Sequence, residues 1–233
     1  MSDDYFLIET PAAARVPMPT DEVSQRLAIY NGDGAFQREL AFAWETAGEV
    51  ILSATLDFWA RLPTSGTPSG DSVAAMGLLP DTIASRITHH TRAKYTRPID
   101  ASWIHLLTLI GREIFTTGAP APLVIEGTNN YSAAVAKAIR EAFPDSPDQQ
   151  RIIDTVYRLG SVETEISIAQ LALLRQHSAV ASQTEEGARF QQTVVEILQG
   201  AVSSAGSLQH RTASTAGSAR GMLGKASEVA AAS

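Results

Sequence analysis

Apolar residues return every three or four positions along most of this 233-residue chain, and that spacing limits what the chain can fold into more than any other feature. A helix turns once per 3.6 residues, so the spacing gathers apolar side chains into one stripe, whereas a half-buried strand needs strict alternation. Val23, Leu27 and Tyr30 share a face. Phe36, Leu40, Ala43, Trp44, Val50, Ile51, Ala54 and Phe58 repeat the pattern over 35–62, with Gly48 as a joint. Trp103, Leu106, Leu107 and Ile110 carry it over 101–116, and Ile152, Val156, Leu159, Val162, Ile166, Ala169 and Leu173 after 147. β-branched clusters and hairpin dipeptides between alternating runs are nearly lacking. The spacing therefore predicts an all-α chain, with roughly eight helices over 19–178 and a helical extension beyond.

Turn residues divide the pattern. Asn31-Gly32-Asp33-Gly34 ends the first helix, and the Pro- and Gly-rich run 63–80 reads as a loop. Asp100 suits the N-cap of a helix over 101–116. Gly118 with Pro120 and Pro122 ends that helix, and Phe143-Pro144-Asp145-Ser146-Pro147 ends the helix over 122–142. Residues 1–18, acidic and proline-containing, read as a flexible N-terminal arm, 19–178 as the folded domain and 179–233 as a helical linker. In that linker the pattern weakens over 181–187. It then resumes at Phe190, Val194, Ile197, Ala201 and Leu208 with a coiled-coil repeat. From 203 onward Ala, Ser and Gly dominate, a thin seam expected to fray unless a partner chain packs on it.

Composition removes several classes of function. A net charge of -7 repels phosphate backbones, so nucleic acid is not an expected partner. The lack of cysteine excludes disulfides, thiolate metal sites and cysteine nucleophiles. With no run of 18 apolar residues and no signal-peptide layout at the N-terminus, the expectation is a cytoplasmic protein without a membrane span.

Chemistry-bearing motifs are sparse. Of the five histidines, His89 and His90 are adjacent. They point about 100° apart on a helix, so one metal cannot take both from one face, and they read as part of a solvated face. His105, among apolar residues beside Trp103, reads as a buried structural histidine, and His177 and His210 as surface residues. Glu126 and Asp154 are isolated acids. No phosphate-loop, dinucleotide or serine-hydrolase fingerprint occurs, so no catalytic residue and no metal site is assigned, and no enzyme is expected within these residues.

The segment from Asp100 to Gly118 resembles the haem-facing helix of globin-coupled sensors, with Asp100, Trp103, Gly111 and Gly118 at the family's positions. Where that family keeps its haem-ligating histidine this chain has Ile114. The stretch from Gln25 to Leu62 is similar to the family's N-terminal and first two globin helices. Its Phe58-Trp59 pair stands where the family often has Phe-Tyr. Residues 147–175 are similar to the last globin helix. Residues 216–233 look like the connector before the kinase core of globin-coupled histidine kinases, and chemoreceptor-type outputs use comparable helices.

The resemblance implies a globin-like sensor fold with a coiled-coil extension, belonging to a homodimeric signalling protein whose output is a kinase domain in the same full-length chain. Isoleucine has no lone pair for iron, so the implied form is haem-free, with Phe58, Trp59, Trp103 and Phe115 as pocket-lining candidates. The alternative is a haem-binding gas sensor that uses His89 or His90. A freestanding helical adaptor is the third reading. In the family the last two globin helices of two subunits form a bundle. This makes Ile152, Val156, Leu159, Ile166 and Leu173 dimer-interface candidates, although the same stripe could equally bury itself within one subunit.

Overall fold

The structure, a computed structural model, describes residues 14–61, 80–118 and 120–231. Every element among them is an α-helix: α1 Thr20–Asn31, α2 Ala35–Ala60, α3 Pro80–Thr96, α4 Ala101–Thr117, α5 Ala121–Ala142 and α6 Gln149–Ala231. The all-α expectation is met. Six helices lie among the described residues, and α2 and α6 each run through a predicted break. The chain divides into two compact units, Met1–Ser178 and Ala179–Ser233.

The first unit owes its boundaries to the turn residues. Gly34 takes a left-handed conformation (φ 69°) between α1 and α2, while the Asp33 carboxylate accepts from the Ala35 N–H at 2.9 Å. α2 bends at Ala47 (φ -131°), next to the expected joint at Gly48, where the Trp44 ring lies 3.0 Å from any added Cβ. Asp100 caps α4, its Oδ1 accepting from the N–H groups of Ser102 and Trp103 at 2.8 and 3.0 Å. Gly118 closes α4 in a left-handed conformation (φ 71°).

One large core unites the unit. Phe36, Leu40, Ile51, Tyr95, Trp103, Ile104, Leu107, Ile139, Ile152, Ile153 and Ile166 are sealed from solvent, and Val23, Leu27 and Tyr30 of α1 pack partly onto them. Gln37 staples the corner between α3 and α4: its Nε2 donates to the Arg97 carbonyl at 3.1 Å and its Oε1 accepts from the Ile99 N–H. Gly111 brings α4 against α6, where an added Cβ would strike the Ser167 carbonyl oxygen. Gly160 does the same for α6 against Ser132 of α5, at 2.6 Å.

One expectation for this unit needs correction. Residues 14–18 are not part of a loose arm: Ala14 and Met18 are buried, and the Val16 carbonyl accepts from Gln170 Nε2 at 2.8 Å. The apolar side chains of this short run find a place on the core that its local periodicity did not announce. Residues 1–13 and most of the predicted loop 63–80 lie outside the described residues.

The second unit is the remainder of α6. Residues 181–187 continue the helix although their apolar pattern fails, since Ala, Gln and Glu favour helix without burying anything. Val180, Phe190, Val195, Ile197, Leu198, Val202, Leu208 and Met222 are all more than half exposed.

Candidate functional site

The most unusual place in the first unit is a charged cluster inside its core. His90 and Lys94 lie one turn apart on α3 and face Glu163 of α6. Lys94 Nζ donates to both Glu163 carboxylate oxygens at 2.9 Å, and His90 Nε2 lies 3.5 Å from Glu163 Oε1. The Glu163, Lys94 and His90 side chains are 5%, 6% and 12% exposed, so these charges have left bulk water. Lys94 Nζ also lies 5.4 Å from the ring centroid of Tyr131 on α5. The Tyr131 hydroxyl shares a 3.1 Å hydrogen bond with Thr55 Oγ1 of α2, and Phe58 meets the Tyr131 ring edge-on at 5.7 Å. Tyr95, sealed in the core and stacked on Trp44 at 5.6 Å, has a hydroxyl without a hydrogen-bond partner. Trp103 Nε1 donates to the Lys94 carbonyl at 2.9 Å, which fixes the last turn of α3.

Electrostatics keep the pair ionised. Burial alone would push the Glu163 carboxyl up, but the Lys94 ammonium and the hydrogen bond from His90 hold it down at about 2. Burial alone would lower Lys94, and the Glu163 charge turns the net shift upward. Burial dominates at His90 and lowers it despite Glu163, so its imidazole is neutral at pH 7. A lysine held protonated has no lone pair for nucleophilic attack, and a carboxylate far below its ordinary range is a poor base. The Lys94–Glu163 pair is therefore suited to holding α3 against α6 rather than to exchanging protons near neutrality.

The sequence placed its candidates differently. His90 is turned inward rather than lying on a solvated face with His89, because Glu163 offers its imidazole a partner in the core; His89 is exposed. His105 is exposed, not buried, since α4 turns Trp103, Leu106 and Leu107 inward and leaves position 105 outside. His177 is exposed, and the side chain of His210 lies outside the described residues. Glu126 and Asp154 are exposed.

Among the pocket-lining candidates, Trp103 is sealed in the core edge-on to Phe36, at 6.3 Å. Phe58 packs instead on Tyr131 and on Trp59, itself 37% exposed. Phe115 and Ile114 are half-buried. Trp103 and Phe58 thus serve different neighbours. The dimer-interface candidates also need correction: Ile152, Val156, Leu159 and Ile166 are buried in the core of their own subunit, and only Leu173 remains half-buried. The buried part of the stripe packs into the core formed with α2–α5 side chains of the same chain.

Lys94 and Glu163 escaped the sequence reading. Their signal was present. Glu163 lies between Leu159 and Ile166 on an otherwise apolar face, where an acid needs a partner. Lys94 follows His90 by four residues, and only an ammonium, not a metal ligand, occupies that place. No metal-holding group of three His, Asp or Glu occurs among the described residues, and no described helix is long and apolar enough to cross a membrane. No protein-family profile, curated protein or solved structure matches this chain.

Proposed function

We propose that this chain is a haem-free, globin-like sensory and dimerisation region of a cytoplasmic signal-transduction protein, one that passes its signal along α6 to an output of the histidine-kinase kind. The fold assignment rests on the resemblance of Asp100, Trp103, Gly111 and Gly118 to the sensor helix. Three of these have evident structural work here: Asp100 and Gly118 cap α4, and Gly111 lets α4 meet α6. The bend of α2 at Ala47 is in keeping with two successive globin helices over 35–60.

The observation that carries the transmission role is a repeat in α6. Counted in sevens from Ile152, one position holds Leu159, Ile166, Leu173, Val180, Val194, Ala201, Leu208 and Met222, interrupted by Gly187 and Thr215. In the first unit this position is buried or half-buried; in the second, Val194 is half-buried while Val180, Leu208 and Met222 are 56%, 64% and 67% exposed. An apolar seam at that period on an unaccompanied helix is the pattern by which two parallel copies pair.

Three observations support the haem-free reading over one in which His89 or His90 ligates the iron. Ile114 offers no ligand atom, His90 Nε2 is directed at Glu163, and Trp103 fills core volume beside Phe36. The reading that uses His90 as an alternative ligand would have to dismantle the Lys94–Glu163 cluster.

Two measurements test the proposal. Analytical ultracentrifugation of the chain should give a dimer, and Phe190→Asp with Ile197→Asp should give monomers with an intact first unit. A monomeric unaltered chain at micromolar concentration would refute the dimerisation role. An absorption spectrum should lack a Soret band after supplementation with haemin, and one iron per chain would overturn the haem-free assignment.

A further inference from the structure

Among the described residues of the first unit, one buried cation lacks the carboxylate that accompanies Arg26, Arg86 and Lys94. Arg26 pairs with Glu22 and Glu165, Arg86 with Glu113, and Lys94 with Glu163. Arg112 of α4 is 7% exposed, makes no ion pair, and keeps a buried Nε–H without an acceptor. Burial alone depresses its basicity, and no neighbouring acid opposes the effect. A guanidinium has five N–H donors in a rigid fork, and leaving it buried without a counter-charge is among the costliest arrangements a core can hold.

Among the described residues, the surroundings do not supply the missing acceptor. Glu113, the next residue, is committed to Arg86 at 2.8 Å. The hydroxyls of Thr108 and Thr116, one turn to either side, donate to helix carbonyls at 2.7 and 2.9 Å. Across the close contact made by Gly111 stands Gln170, whose Oε1 is likewise buried without a partner, its Nε2 being spent on the Val16 carbonyl. An orphaned donor and an orphaned acceptor thus flank one helix contact, Arg112 beside Gly111 on α4 and Gln170 opposite it on α6.

We propose that Arg112 is the anchor of a binding site for a small oxyanion, a carboxylate or a phosphate, at the α4–α6 contact. The planar fork of Arg112 matches two oxygens of either group, and a hydroxyl on the bound species would satisfy Gln170 Oε1. The site is separate from the Lys94–Glu163 cluster and does not depend on the sensory role proposed above.

Thermal unfolding of the full chain tests it, in inorganic phosphate, in acetate and in chloride at matched ionic strength and pH 7.5. Phosphate or acetate at tenfold its dissociation constant should raise Tm by about 3 °C over chloride, and Arg112→Met should abolish the rise. In chloride, Arg112→Met should be at least as stable as the unaltered protein, because it removes an uncompensated charge and keeps the length of the side chain. Arg112→Lys, which retains the charge without the fork, should keep a reduced rise, and isothermal titration of the unaltered chain with phosphate gives a readout that needs no variant. A rise in phosphate alone assigns the site to phosphate groups, and a rise in both anions assigns it to oxyanions generally. No rise in either anion, an equal rise in Arg112→Met, or a loss of stability in Arg112→Met in chloride would overturn the proposal.

Discussion

Replacing Glu163 with glutamine keeps the shape of the side chain and removes its charge, leaving the Lys94 ammonium inside the core without a counter-ion. At the observed 2.9 Å, and with the effective dielectric constant of about 20 suited to protein sites, the attraction lost is about 6 kcal/mol before desolvation is considered. Part of that was already offset by the cost of burying both groups, and breaking such a pair on one side costs about 3–5 kcal/mol net. For a chain of this size the loss lowers Tm by about 10 °C. Glu163→Leu combined with Lys94→Met removes both charges and should recover most of that stability. A residual deficit of about 1 kcal/mol remains because His90 loses its contact with Glu163. Urea denaturation of the unaltered chain, the single variants Glu163→Leu and Lys94→Met and the double variant closes the cycle, the expected coupling being about 3 kcal/mol. A Glu163→Gln cost below about 1 kcal/mol, or a double variant as unstable as the sum of the singles, would refute the claim that the two charges compensate each other in the core.

Gly111→Ala should destabilise the first unit by about 1–3 kcal/mol, because the added methyl strikes the Ser167 carbonyl oxygen, which is backbone and cannot rotate away; chemical denaturation measures the loss. Stability should fall in acid in two stages. His90 is lowered in the folded state, so the unfolded chain binds its proton first and stability declines as pH drops below 6.5. Glu163 is held at about 2 against 4.5 unfolded. Its contribution of about 3 kcal/mol is complete above 4.5 and is lost as pH falls from there toward 2. Lys94, shifted upward, contributes below pH 10.5 and loses its contribution as pH rises through its folded value. Urea unfolding at a series of pH values should show the step between 4.5 and 2 in the unaltered chain and a flattened one in Glu163→Gln.

The helical architecture was legible because its cause is local. The spacing of Phe36, Leu40, Trp103, Leu107 and Ile152 to Ile166 sets both the helix and its inward face, and Asp100 and Gly118 mark α4 by backbone chemistry alone. What escaped was set by distant parts of the chain. His90 turns inward because a carboxylate 73 positions later waits for it. His105 turns outward because the wider apolar arc of α4, from Trp103 through Leu107, claims the core. The helix over 181–187 formed without an apolar stripe, since a stripe reports burial and these residues bury nothing. The stripe from Ile152 to Leu173 announces a covered face without saying whether the cover is the same subunit or another, and here it is the same one.

Stripes of Ile, Leu and Val leave one degree of freedom open: α6 could slide against α3 by a turn and still bury apolar groups. A slide of that size separates Glu163 from Lys94 and leaves two charges buried apart, which costs more than any packing gain can return. The cluster therefore has a use besides stability, as a polar residue in a coiled-coil seam fixes register at some expense of free energy. The double variant Lys94→Met with Glu163→Leu separates the two effects. We predict that it keeps near-native stability and helix content while its amide resonances broaden and the hydrogen-exchange protection of α3 and of 149–178 falls more than global stability does. Sharp resonances and unchanged protection in that variant would show that apolar shape alone fixes the register, and would leave the buried pair without this role.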